Sequence, residues 1–126
     1  MVSCRLMGRP LRLLVVEDHL DSAELLAELL TDNGHTVRVA TTVHDAIAIA
    51  NEQTFDVVVS DVGLPDASGY ELMEHLRTRF PIKGIAMTGS GRQSDIEAGR
   101  AAGFSLHLTK PVTMSRLEQA LQEVVG

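Results

Sequence analysis

The sequence predicts an α/β fold, a doubly wound parallel sheet with helices on both faces. Two stretches, Leu11 to Val16 and Val57 to Ser60, are nearly unbroken runs of β-forming apolar residues, Arg12 aside and with Ser60 at the end, the pattern of strands buried on both sides. Segments with helical periodicity alternate with such runs along the whole chain, which calls for crossover connections between parallel strands. Its 126 residues match one ordinary domain, long enough to bury about two-thirds of the unfolded surface in one core.

The elements follow in order. Leu11 to Val16 forms a strand that runs directly into Glu17-Asp18. Asp21, with Glu24 three residues on, reads as the N-cap pair of a helix of about three turns carrying Ala23, Leu26, Ala27 and Leu30, closed by Asn33-Gly34. Thr36 to Ala40 is a short strand, and Thr42 caps a helix with Ala46, Ile49 and Ala50. The central strand, Val57 to Asp61, ends in a carboxylate, and the Gly63-Leu64-Pro65-Asp66 turn cannot prolong it. Ser68 to Glu71 has the form of a capping box opening a helix from about Gly69 to Arg79, with Pro81 as its stop. Ile85 to Thr88 is a fourth strand, followed by Gly89-Ser90-Gly91. Ser94 to Glu97 reads as a second capping box for an Ala-rich helix that Gly103 ends. Ser105 to Leu108 is a weak fifth strand stopped by Lys110-Pro111, and Leu117, Ala120, Leu121 and Val124 mark a last amphipathic helix. Residues 1–10 read as a disordered tail, natural or added by cloning, and residues 11–126 as the folded domain.

Composition narrows the function. With 11 Lys and Arg against 17 Asp and Glu the net charge is −6, and no basic run exists, which argues against nucleic acid or an anionic membrane as partner. Cys4 is the one cysteine, so neither an intramolecular disulfide nor a thiolate metal site is expected, and a reducing cytoplasm fits. No signal-peptide core or membrane span is visible.

In an open α/β sheet, ligands bind outside the carboxyl ends of the strands. Here those ends deliver Glu17-Asp18, Asp61, Thr88 and Lys110: three carboxylates, a hydroxyl and an ammonium. Close carboxylates repel by about 4 kcal/mol per pair at an effective dielectric of about 20, so the rim calls for a cation. With oxygen ligands the cation is hard, and Mg²⁺ suits one or two carboxylates plus phosphate oxygens and water.

Taken together, Val15-Val16-Glu17-Asp18, Ser60-Asp61, Leu64-Pro65-Asp66 with Gly69, Met87-Thr88-Gly89 and Lys110-Pro111 resemble the response-regulator receiver domain, the CheY-like module of two-component signalling and phosphorelays. The resemblance covers Leu11 to Val124 and implies a flavodoxin-like strand order of 2-1-3-4-5. It implies that Asp61 is the phosphoacceptor, taking a phosphoryl group from the phosphohistidine of a histidine kinase or a histidine phosphotransfer protein. It further implies that Asp18, Asp61 and the Gly63 carbonyl hold Mg²⁺, with Glu17 reaching it through water. Thr88 and Lys110, with backbone N–H groups near Gly63 and Gly89, would bind the phosphoryl oxygens, and the Lys110-Pro111 bond would be cis. The domain is then a signalling switch rather than an enzyme acting on an external substrate, although it promotes its own aspartyl phosphorylation and dephosphorylation. A downstream protein target would read the face carrying Ile96, Arg100, His107, Met114 and Glu118.

Departures from the family pattern are Gly89, where Ala is usual, and His107, where a switching Tyr or Phe is usual. Gly63 and Ser90 are small and leave room beside the site for an attacking water. The run from Gly103 to Pro111 is similar to receivers of hybrid sensor histidine kinases, so the domain is read as one of these or as a single-domain regulator. His19, His35, His44 and His75 show no ligand spacing and are expected at the surface, with His19 bordering the site. An aspartate-nucleophile phosphatase would want a second acid at Gly63, a flavin module would want Ser, Thr and Gly in place of Glu17-Asp18, and a pseudo-receiver would have lost Asp61, Thr88 or Lys110.

Overall fold

The computed structural model describes residues 10–89 and 91–126. Cys4, Ser90 and all but the last residue of the expected tail therefore lie outside the described residues. Five strands alternate with five helices: β1 (Arg12–Val16), α1 (Leu20–Asp32), β2 (Thr36–Ala40), α2 (Val43–Glu52), β3 (Val57–Asp61), α3 (Gly69–Arg79), β4 (Lys83–Thr88), α4 (Gln93–Ala102), β5 (Leu106–Thr109) and α5 (Met114–Val125). All strand pairs are parallel and the order is β2-β1-β3-β4-β5.

Alternation along the strands divides the interior into two cores. Leu13, Val15, Val57, Val59, Ile85 and Met87 face α1 and α5, where Leu30, Leu117, Ala120 and Leu121 meet them. Leu14, Val16, Val58 and Ala86 face the other way, against Ala46 and Ala50 of α2, Leu72, Met73 and Leu76 of α3, and Ala102 of α4. Every residue of β3 is buried, as a central strand covered on both faces requires.

Several helix ends follow their sequence signals. The Thr42 hydroxyl accepts the Asp45 N–H, and Ser68 and Glu71 make a full capping box. Gly34 and Gly103 have φ of 102° and 117°, values that glycine adopts without a Cβ clash. Two caps differ. Helix α1 starts at Leu20, so His19 is its N-cap and Asp21 sits in its first turn. Helix α4 starts at Gln93 with Arg92 as N-cap, which places Ser94 one residue inside the helix and leaves its hydroxyl out of the capping position.

Histidine 35 also departs from expectation, being buried at 5% exposure. Its Nδ1 accepts the Leu11 N–H at 3.0 Å, which puts the ring proton on Nε2, 3.0 Å from both Glu118 oxygens. Asn33 Nδ2 adds a 2.8 Å bond to Glu118 Oε2. Glu118 is thus buried at 2% exposure and removed from the surface expected to carry signals. The reason is helical phase: Glu118 lies between Leu117 and Leu121 on the face that α5 turns toward α1. Met114 likewise packs against the α1/α5 core, so of the five residues expected on the output face only Ile96, Arg100 and His107 share one cavity, of about 190 Å³.

Candidate functional site

The parallel register brings four strand ends to one edge. Ser60 pairs with Val16, Asp61 with Met87, and Thr88 with Thr109. Glu17 leaves β1 with its N–H on the Ala40 carbonyl at 3.0 Å, which keeps it against the sheet. Lys110 leaves β5 with its N–H on the Thr88 carbonyl at 2.7 Å, and its bond to Pro111 is cis. The lysine side chain reaches across β4: Nζ lies 2.6 Å from Asp61 Oδ1 and 3.3 Å from Glu17 Oε1.

Asp61 and Glu17 are both buried, at 5% and 7% exposure. Lys110 directs a hydrogen bond at Glu17, whereas its closer approach to Asp61 is off the hydrogen-bonding direction, so the buried Oδ1 keeps its acceptor capacity. Burial pushes the Asp61 carboxyl up to about 7; the neighbouring Glu17 carboxylate pushes the same way, and Lys110 opposes both. Burial also acts to raise Glu17, but Asp61, the His19 backbone N–H and Lys110 outweigh it and hold that carboxyl well below its usual range. Lys110 is raised, since its two carboxylate partners overcome the desolvation that would lower it. Among two carboxylates and one ammonium, Asp61 is therefore the group whose ionised form is disfavoured, and a further cation beside it would offset that.

Donor chemistry at this edge fits such a cation. One ligand atom from each of Glu17, Asp18 and His19 lies within 4.8 Å of the other two, and the His19 N–H meets Glu17 Oε2 at 3.2 Å. His19, 82% exposed, borders the carboxylates with Nδ1 at 3.9 Å from Glu17 and from Asp18. Oxygen donors and a buried acceptor with spare capacity suit a hard divalent ion.

Of the residues singled out in the sequence, Glu17, Asp61 and Lys110 are in contact, with Asp18 beside them and Thr88 at the end of the intervening strand. Gly63 is exposed in the turn after β3, bridged to Ser68, and Gly89 is exposed just after β4. His107 stands apart: it pairs with Ala86, two residues back from the strand end, and lines the cavity under α4. Two residues read from the sequence as part of the turn and helix start after β3, and of the receiver motif, do more. Gly69 donates its N–H to the Val62 carbonyl at 2.7 Å, and a Cβ there would run into the Asp61 carbonyl oxygen. Asp66 accepts two backbone N–H groups of α2, from Val43 and His44, each at 2.9 Å. The close approach at Gly69 is signalled by glycine opening a helix; nothing local signals the partner of Asp66.

With this geometry in view, the model of the response regulator receiver domain matches residues 13–122. The chain belongs to that family. It is similar to the virulence sensor protein BvgS of Bordetella pertussis, 35% identical over 92% of this chain and 10% of that protein. It is also similar to the response regulator receiver protein Anae109_2439 of Anaeromyxobacter, 36% identical over 84% of this chain and 45% of that protein. The receiver thus spans less than half the length of either relative. Among solved structures, the chemotaxis protein CheY4 of Vibrio cholerae superposes with a TM-score of 0.87 at 27% identity, covering 92% of this chain and 99% of that one. The receiver is a signalling module of two-component systems, and its flavodoxin-like topology is the one expected from the sequence. Among the described residues, no helix is long and apolar enough to cross a membrane.

Proposed function

We propose that this receiver accepts a phosphoryl group on Asp61 in a Mg²⁺-dependent reaction and so switches a protein-interaction surface. The observation that carries the reading is the buried Asp61 carboxylate, with Lys110 Nζ at 2.6 Å and an acceptor oxygen not taken up by a directed hydrogen bond. In the reaction, an Asp61 oxygen forms a bond to phosphorus as the bond to the donor's imidazole nitrogen breaks and the electron pair leaves with that nitrogen. Lys110 turns from the carboxylates toward the equatorial phosphoryl oxygens, and Thr88 with the N–H groups near Gly63 and Gly89 completes their cradle. Asp18, Asp61 and the Gly63 carbonyl would hold Mg²⁺, with Glu17 acting through water; the ion neutralises charge on the phosphoryl oxygens. The same pocket supports hydrolysis of the aspartyl phosphate, the small Gly63 leaving space for water.

A histidine kinase or histidine phosphotransfer protein is the donor in this reading. Leu25 and Leu29, 58% and 40% exposed and about one turn apart on the helix that starts beside the pocket, offer it an apolar surface. The output surface is the α4–β5 cavity with Ile96, Arg100 and His107, and movement of His107 there carries the change to a downstream target. Similarity to a sensor protein many times longer supports a receiver joined to a hybrid histidine kinase, with a single-domain regulator as the other arrangement, and a cytoplasmic location follows from either.

Incubation with Mg²⁺ and acetyl phosphate followed by mass spectrometry tests the acceptor. A base-labile phosphoryl adduct that disappears in Asp61→Asn is expected; the same adduct in that variant would place the acceptor elsewhere.

A further inference from the structure

We infer that Asp66 is a positioning residue for the metal pocket, a clamp that ties the loop carrying Gly63 to the N-terminus of α2. This rests on the reading that the Gly63 carbonyl is a Mg²⁺ ligand. The loop from Gly63 to Ser68 is held at its base by the Gly63–Ser68 bridge and by the Gly69 N–H on the Val62 carbonyl. Its far end is fixed by the Ser68–Glu71 capping box. Between these anchors Leu64 and Ala67 pack against the core, and Asp66 supplies directed hydrogen bonds to another element. Oδ1 accepts the Val43 N–H and Oδ2 the His44 N–H, both at 2.9 Å, across more than twenty residues of sequence.

These two donors are ones that any helix N-terminus leaves without intrahelical partners. Thr42 satisfies the third, from Asp45. A carboxylate placed there makes two charge-assisted bonds and meets the positive end of the helix dipole. The same two N–H groups hold the Asp66 carboxyl below its usual range, in keeping with a persistent contact. Besides capping α2, the contact tethers the loop: with Asp66 docked, the segment that begins at Gly63, three residues earlier, is tied to the start of α2. Outer-shell supports of this kind set metal affinity without touching the ion.

The test compares Mg²⁺ binding by the whole chain and three variants, followed by the amide shift of Gly63 in NMR titrations, with thermal stability recorded alongside. Asp66→Ala is expected to raise the Mg²⁺ Kd roughly tenfold, the low end of losses from outer-shell supports, with a smaller loss in Asp66→Asn, which keeps one acceptor. Thr42→Ala removes the other cap of α2 and leaves the loop alone, so it should lower thermal stability with Mg²⁺ affinity unchanged. Equal Kd values in Asp66→Ala and the unaltered protein, or equal losses in Asp66→Ala and Thr42→Ala, would overturn the clamp alone. Absence of Mg²⁺ binding to the unaltered protein would overturn the pocket reading and the clamp with it.

Discussion

Asp61 is held where its ionised form is least comfortable. Its folded pKa, about 7, lies above that of an unfolded aspartate, so the folded state favours the protonated acid. The resulting stability is full below about pH 4 and is lost as pH rises through about 7. Asp61→Asn stays neutral throughout, so in EDTA at about pH 8 this variant should be more stable than the unaltered protein by about 1 to 3 kcal/mol, with no difference at about pH 4; urea unfolding at the two pH values measures it. At the buried pair of His35 and Glu118, substitution of one partner should destabilise. Removing the imidazole by His35→Ala leaves a carboxylate with only Asn33 as partner, at an expected cost of about 3 to 5 kcal/mol, whereas the double change His35→Leu with Glu118→Met should recover most of it.

At the scale of elements, β3 and α3 meet in close backbone contact at position 69. Because a Cβ at position 69 would collide with the Asp61 carbonyl, Gly69→Ala must push the end of β3 away from the start of α3. Slower phosphorylation by acetyl phosphate is the expected result, while Ser68→Ala, which removes one half of the capping box, should cost about 1 kcal/mol of stability and leave that rate nearly intact. The α2 connection titrates as well. The Asp66 pKa is depressed by the two N–H groups it accepts, so the contact is complete above the ordinary aspartate range and is lost as pH falls through the lowered value. The amide shifts of Val43 and His44 should follow that single transition in an acid titration.

For the whole molecule, metal binding and folding are linked. An ion bound only by the folded chain and present at about 100 times its Kd adds about 2.7 kcal/mol, so thermal scans should show a higher Tm with Mg²⁺ than with EDTA, and the increment should shrink in Asp18→Ala. Most of this architecture was legible in the sequence because it rests on local signals. Nearly continuous apolar runs mark β1 and β3, and Ser68 with Glu71 locates the start of α3. Contacts between residues distant in sequence were not legible. Nothing near His35 signals that Glu118, 83 residues on, will bury it, and nothing near Asp66 points to Val43. The start of α4 was misplaced for a related reason: Ser94 has the right chemistry for a cap, but the helix begins upstream of it.

The chain contains no tryptophan and one tyrosine, Tyr70. Its hydroxyl donates to the Asp95 carbonyl in α4 at 3.2 Å, and its ring meets Phe104 edge-on at 6.5 Å, at the seam between α3 and α4. Tyrosine emission, excited where phenylalanine does not absorb, therefore originates at one known place, and a displacement of α4 that breaks these contacts changes the surroundings of that single fluorophore, so the switch can be followed in real time without attaching a dye.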